Sequence, residues 1–258
     1  MDYFKSFSDR LHNPAGFDFE ELALDLFHFQ AKNNAIYRTF IKVRGINIKQ
    51  VDTIHQIPFL PIQFFKSHAV VCGKESNFEK YYSSSGTTGV VTSKHYIWSE
   101  QFYLDHTQRI FERQYGALEN YHILALLPAY LERQGSSLVA IADHFIKKSG
   151  SAHSGFYLYN HGELIEKMEL LKEDPKPTLL IGVTFALLDL AEKTLPNLPR
   201  LIVMETGGMK GKRREMIREE VHEILGGSFG ADRIHSEYGM TELMSQAYSQ
   251  GFGKIYPT

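Results

Sequence analysis

The chain has 258 residues, 43% of them hydrophobic and 22% charged, with a formal net charge of -2. That length and composition ask for a globular protein with a sizeable core, and the near-neutral charge leaves no basic face strong enough to gather nucleic acid or an anionic membrane surface. A single cysteine, Cys72, excludes an internal disulfide and a cysteine-rich metal site. With no h-region in "MDYFKSFSDRLHNP" and no apolar run near the roughly 20 residues that span a bilayer, the sequence points to a soluble cytoplasmic protein without stable membrane insertion.

Residues 17–50 carry Leu22, Leu24, Leu26, Phe27, Phe29, Ile36, Phe40 and Ile41 at mostly helical spacings, which predicts two helices, the second ended by Gly45. Pro58 and Pro61 in "IHQIPFLPIQFFKSHAVV" predict an extended connection into a short strand at about residues 68–72, with Cys72 a buried, inert thiol within it. The helical part runs to about residue 55 and an α/β core occupies about 56–258. A strand near residue 82 leads into "SSSGTTG".

From residue 122 onward the pattern becomes a rhythm. "HILALLP" reads as a buried strand, "SSLVAIADHFIKKSG" as a helix capped by Ser136 or Ser137, "GFYLYN" as a strand and "ELIEKMELLKE" as a helix. "TLLIGV" is a strand, "TFALLDLAEKT" a helix, "RLIVMET" a strand, "KRREMIREEVHEIL" a helix and "RIHSEYG" a strand entering a loop. Apolar runs of about four to seven residues alternating with helices of ten to fifteen predict βαβ units: an α/β fold with a mainly parallel sheet layered with helices. Ligands bind at the carboxyl ends of such strands. Three of those loops are rich in Gly, Thr, Ser or Glu: "SSSGTTG", "ETGGMKG" and "SEYGMTE".

In the first of these loops, hydroxyls and glycines let the backbone approach an oligophosphate closely, although the same residues also build ordinary turns. A Walker A loop is absent, since Gly207 and Gly211 are one residue too close and no hydroxyl follows Lys212. In "HSEYGMTE", Tyr238 offers a ring for stacking, Thr241 a hydroxyl and Glu242 a hard oxygen ligand; the alternative is a turn followed by a helix capped at Thr241. Asp105-His106 and Asp143-His144 lack the Gly-x-Ser-x-Gly elbow of a serine hydrolase, and the 12 histidines show no zinc spacing.

"SSSGTTG", then "ETGG", then "EYGMTE" about 150 residues after the first, resemble in order and spacing the adenylate-forming superfamily of acyl-CoA synthetases, luciferases and peptide-synthetase adenylation domains. The stretches "IPFLPIQFFKSHAV", "YYSSSGTTG", "LIGVTFALLDLAE" and "EYGMTELMSQAYS" are most similar to the LuxE-type family, the acyl-protein synthetase subunit of the bacterial bioluminescence fatty-acid reductase. The resemblance covers roughly residues 20–258.

It implies ATP and Mg2+ as cofactors, a fatty acid or other carboxylic acid as substrate, and an acyl-CoA reductase-type protein as partner. By motif it puts Ser84, Ser85, Gly86, Thr87, Thr88 and Gly89 on the ATP phosphates and Gly207 and Gly208 along adenine and ribose. Tyr238, followed by Gly239, would stack on adenine, Thr241 would touch the α-phosphate and Glu242 would hold magnesium. In "GVTFALLDL", Val183, Phe185 and Leu187 are candidates for an acyl-tunnel wall or for an ordinary buried helix. Tyr130 is a candidate acyl gate or a rim tyrosine.

The chain departs from relatives at Val91 and Thr92, where many carry Pro-Lys, which leaves Lys94 displaced. It reaches Thr258 before the ribose-binding aspartate, the small C-terminal domain and the acyl-accepting cysteine of relatives, so those elements are expected to be missing. An acyl-CoA or aryl-CoA ligase and a non-catalytic nucleotide-binding subunit remain the alternatives.

Overall fold

Two helix starts near the N-terminus are set by short polar side chains. Asp18 accepts a hydrogen bond from the Glu21 amide and starts α2 (Phe19–Asn33), after α1 (Asp2–Leu11); Asn34 accepts from the Tyr37 amide and starts α3 (Ala35–Val43). The computed structural model describes residues 2–13, 15–84, 92–128, 135–209 and 211–251. The chain divides into two compact units, Met1–Phe102 and Tyr103–Thr258.

In the first unit the two expected helices appear and α1 is added. Tyr3 of α1 stacks on Phe29 with ring centroids 3.5 Å apart, and Arg10 pairs with Asp25 at 2.7 Å. Phe27, Ala31, Tyr37, Ile41 and Val51 form the buried core between α2, α3 and the following segment. Pro61 does not keep the chain extended as expected; its carbonyl accepts from the Phe64 amide and opens the short helix α4 (Phe64–Ser67). The strand expected at 68–72 is reduced to a single bridge between Asn34 and Cys72.

The strand near residue 82 is β1 (Lys80–Ser83), and its partner is β2 (Lys94–Ile97) in an antiparallel hairpin running from Lys80 opposite Ile97 to Ser83 opposite Lys94. The hairpin is its own two-stranded sheet, so "SSSGTTG" joins antiparallel strands rather than following a strand of the parallel sheet. Lys80 and the Tyr82 hydroxyl both reach Glu100, at 2.6 and 2.8 Å, fixing the hairpin to the start of α5 (Glu100–Tyr115), within which the unit boundary falls.

The second unit follows the alternating pattern closely: β3 (His122–Leu126), α6 (Ser137–Ser149), β4 (Gly155–Tyr157), α7 (His161–Leu170), β5 (Thr178–Val183), α8 (Thr184–Ala191), β6 (Leu201–Thr206), α9 (Arg218–Phe229), β7 (His235–Gly239) and β8 (Gln246–Ser249). Among the described residues these strands pair in the order β4-β3-β5-β6-β7-β8, parallel except for β8. Every residue of β3 and β5 is buried, as expected where helices cover both faces of a parallel sheet. The α6 cap is Ser136, whose side chain accepts from the Val139 amide.

α8 lies so close over β5 that a side chain at Gly182 would meet Leu187 at 2.7 Å, which is why glycine interrupts an otherwise branched apolar strand. α9 begins six residues later than the expected start at Lys212. Gly211 turns with φ +68°, and Arg213 is bound outward to Asp189 at 2.7 Å and Glu192 at 2.5 Å. Lys212, Arg213 and Arg214 therefore lie in a tethered loop ahead of α9, not in the helix.

Candidate active site

The carboxyl ends of β5, β6 and β7 lie side by side, and the loops that leave them carry two of the three motifs. Glu205 pairs with Ser236 and Thr206 with Glu237 across the parallel β6–β7 ladder. "TGG" and "YGMTE" therefore emerge from neighbouring strands, whose spacing is about 4.8 Å. Alternation along each strand then sends Glu205 and Ser236 to one face and Thr206 and Glu237 to the other.

On the first face the Thr184 hydroxyl, just past β5, donates to Glu205 Oε2 at 2.8 Å and to the Thr206 carbonyl at 3.3 Å. Arg218 and His222 of α9 approach Glu205 Oε1 at 3.8 and 3.7 Å. Burial works against the charged form of Glu205, but contacts with His222, Ser236 and Thr184 and the charge of Arg218 hold the carboxyl below its ordinary value.

The other face behaves oppositely. The Thr206 hydroxyl donates to Glu237 Oε2 at 2.5 Å, and Glu237 Oε1 lies 2.6 Å from where a Cβ at Gly239 would stand. A side chain there would have to displace that carboxyl oxygen. Burial pushes Glu237 up to about 7, with the Thr206 hydrogen bond opposing and the nearby Glu205 charge adding to the rise. Tyr103 of α5 and Tyr248 of β8 lie within its field, and Gln246 packs beside Gly239 and donates to the Tyr103 hydroxyl at 3.4 Å.

Tyr238 projects from the strand end 48% exposed, with its hydroxyl donating to Met240 Sδ at 3.1 Å. Thr241 and Glu242 sit half-buried in a turn closed by the Leu243 amide on the Met240 carbonyl at 2.9 Å. The helix weighed as the alternative for this segment does not form; the chain turns back into β8, which the sequence reading lacked. Gly207 leaves β6 with φ +75°, and Gly208 has open space where a side chain would be.

Val183, Phe185 and Leu187 are all buried, within β5 and an α8 whose other members are nearly all buried too. In the first unit, Ser84 bonds Ser93 twice: its amide donates to the Ser93 carbonyl at 3.1 Å, and its hydroxyl accepts from the Ser93 amide at 2.9 Å. Ser85, Gly86, Thr87, Thr88, Gly89 and Tyr130 lie outside the described residues. Lys94 Nζ stands over the Tyr81 ring, 4.9 Å from its centroid. The Cys72 thiol is pushed up to about 11 by burial, which suits an inert side chain rather than an acyl acceptor.

Glu205, Thr206 and Glu237 stood inside the quoted motifs without a role. Their signal was present in the sequence as carboxylates placed at buried positions near the ends of two parallel strands, a costly location unless it serves the strand ends. Among the described residues no three His, Cys, Asp or Glu side chains gather to hold a metal, and no helix is long and apolar enough to cross a membrane.

No family model and no curated protein matches the chain. Among solved structures, a 2-hydroxyisobutyryl-CoA ligase in complex with 2-HIB-AMP and CoA, in the thioesterification state, aligns with 94% of this chain and 50% of its own at TM-score 0.60 and 15% identity. The chain shares the fold of the matched half of that ligase. A 2-hydroxyisobutyryl-CoA ligase in the postadenylation state with R3-HIB-AMP aligns with 87% of this chain and 49% of its own, at TM-score 0.57 and 13% identity. The chain thus spans about half the length of the structures it matches, and the mixed α/β architecture with its mostly parallel sheet is as the sequence rhythm required.

Proposed function

We propose that the chain is an adenylate-forming ligase that activates a carboxylic acid, a fatty acid in the first instance, and passes the acyl group to a protein thiol. The observation that carries the first half is the emergence of "TGG" and "YGMTE" from adjacent parallel strands, in a fold whose solved neighbours hold 2-HIB-AMP and R3-HIB-AMP. In the adenylation step a carboxylate oxygen attacks the α-phosphorus of ATP, the bond to the bridging oxygen breaks and pyrophosphate leaves. In the transfer step a thiolate attacks the acyl carbon and AMP leaves.

Both partners of the first step are anionic, so the chemistry needs alignment and charge neutralisation more than a strong base. Ser84, Ser85, Gly86, Thr87, Thr88 and Gly89 are assigned to the phosphates by their hydroxyls and amides. The half-exposed Tyr238 ring is assigned to adenine, Gly207 and Gly208 to the nucleotide's flank, and the Thr241 hydroxyl to the α-phosphate. The single carboxylate of Glu242 fits a magnesium ion that takes its remaining ligands from phosphate oxygens and water, the usual way magnesium is held at nucleotide sites.

A reductase that withdraws the acyl group as an aldehyde precursor is the partner implied by the family resemblance, in the cytoplasm. A second reading, coenzyme A as the thiol, is favoured by the neighbour solved with CoA. The test is acid-dependent exchange of labelled pyrophosphate into ATP, run across carboxylic acids of different chain length. Exchange that depends on a long-chain acid supports the proposal; no exchange with any acid overturns it. Formation of acyl-CoA on addition of coenzyme A selects the second reading over the first.

A further inference from the structure

We propose that Glu237 is a positioning residue for the nucleotide site: its carboxyl, buried beneath the ends of β6 and β7, latches the "TGG" turn to the "YGMTE" turn and holds them together most firmly while it is neutral. The inference deepens the adenylation reading and rests on it for the identity of the ligand, though not for the latch itself.

The geometry supplies both halves of the latch. One carboxyl oxygen takes the Thr206 hydroxyl at 2.5 Å, at the last position of β6 before Gly207. The other fills the space beneath Gly239, the last residue of β7 before the turn that carries Thr241 and Glu242. Glu237 therefore touches the last residue of both strands.

Burial and the nearby Glu205 charge disfavour a charge on that carboxyl and outweigh the Thr206 hydrogen bond, which favours it. Thr206 on β6 is neutral, Glu205 on the same strand is a carboxylate held in its charged form, and Tyr103 on α5 and Tyr248 on β8 are kept protonated by burial. Gln246 of β8, beside Gly239, is uncharged. The cations of this region, Arg218 and His222, are directed at Glu205 on the opposite face. An ionised Glu237 would stand buried within the field of the charged Glu205 across the sheet, with no positive group among the described residues acting on it, and relief comes by separating the strand ends. The elevated proton affinity of Glu237, at about 7, puts this transition within the working range.

Two variants test it. Glu237→Gln keeps a donor and an acceptor at the same place and cannot ionise; Thr206→Val removes the partner and keeps the shape. Amide hydrogen exchange at residues 207–209 and 238–243, corrected for intrinsic rates, is read at about pH 6 and about pH 8.5. The wild-type chain is expected to open these segments about tenfold more at the higher pH. Glu237→Gln should show the same protection at both, and Thr206→Val should be open at both. Equal pH responses in wild type and Glu237→Gln overturn the latch.

The ratio of pyrophosphate exchange rates at the two pH values provides the functional arm. It should fall in wild type and stay level in Glu237→Gln. Exchange that is present but has the same pH profile in both proteins refutes the latch, whereas the expected amide pattern without any exchange refutes the adenylation reading and upholds the latch.

Discussion

Replacing Glu237 with glutamine should stabilise the protein, and the gain should depend on pH in a defined way. The unfolded carboxyl titrates near its ordinary 4.5, while the folded one is raised to about 7. Between these values the native state keeps a proton that the unfolded chain has released, so stability falls as pH rises through that window and is flat beyond either end. At about 1.4 kcal/mol per pH unit the loss across the window is about 3 kcal/mol. Glutamine carries no such term. The difference in unfolding free energy between variant and wild type, from urea titrations read by tyrosine and tryptophan fluorescence, should therefore grow by about 3 kcal/mol between about pH 4.5 and about pH 7.5. Taking the difference cancels the titrating groups that do not interact with Glu237. A flat difference, or one that shrinks with pH, would show that Glu237 ionises at its ordinary value and that the burial argument is wrong.

Gly239→Ala places a methyl 2.6 Å from Glu237 Oε1 and should cost about 1–3 kcal/mol by overpacking, seen as a lower urea midpoint; an unchanged midpoint would mean the carboxyl is not where the structure places it. Glu242→Ala should abolish magnesium-dependent pyrophosphate exchange while far-ultraviolet circular dichroism stays as in wild type, because the side chain is only half-buried in a turn. Tyr238→Ala should weaken ATP binding roughly tenfold by calorimetry, since loss of one base stack is worth about 1–3 kcal/mol. Acidification below about pH 4.5 should remove the contribution of Glu205, whose folded carboxyl lies below its ordinary value. Glu205→Gln should accordingly lose the acid-limb stability difference that wild type shows.

The alternating half of the fold was legible because parallel strands buried on both faces leave continuous apolar runs, such as "TLLIGV", between helices of the right length. What was missed shares a physical cause. α5 buries Tyr103, Thr107, Ile110 and Phe111 at helical spacing, but one of these is a threonine and charged residues fill the gaps, so the apolar stripe is thin. The hairpin of β1 and β2 is held by side chains outside it such as Glu100 at the start of α5, and by a register that no local pattern announces. β8 pairs antiparallel with β7 only because the "YGMTE" segment turns back at Met240–Leu243, where residue preferences alone suited a helix cap equally well. For the site, residue identity within the motifs was readable. The split of Glu205 and Glu237 to opposite faces, with opposite effects on their protons, required the strand register and the position of α9.

The central claim is that this chain makes an acyl-adenylate, and a single-turnover reaction tests it most directly. Protein in excess over ATP labelled at the α-phosphate, with magnesium and a long-chain fatty acid, is quenched in acid and resolved by chromatography. The account predicts a labelled acyl-AMP species that appears together with pyrophosphate, requires the acid and is absent from Glu242→Ala. Labelled ADP in its place, or ATP left intact with every acid offered, would contradict it.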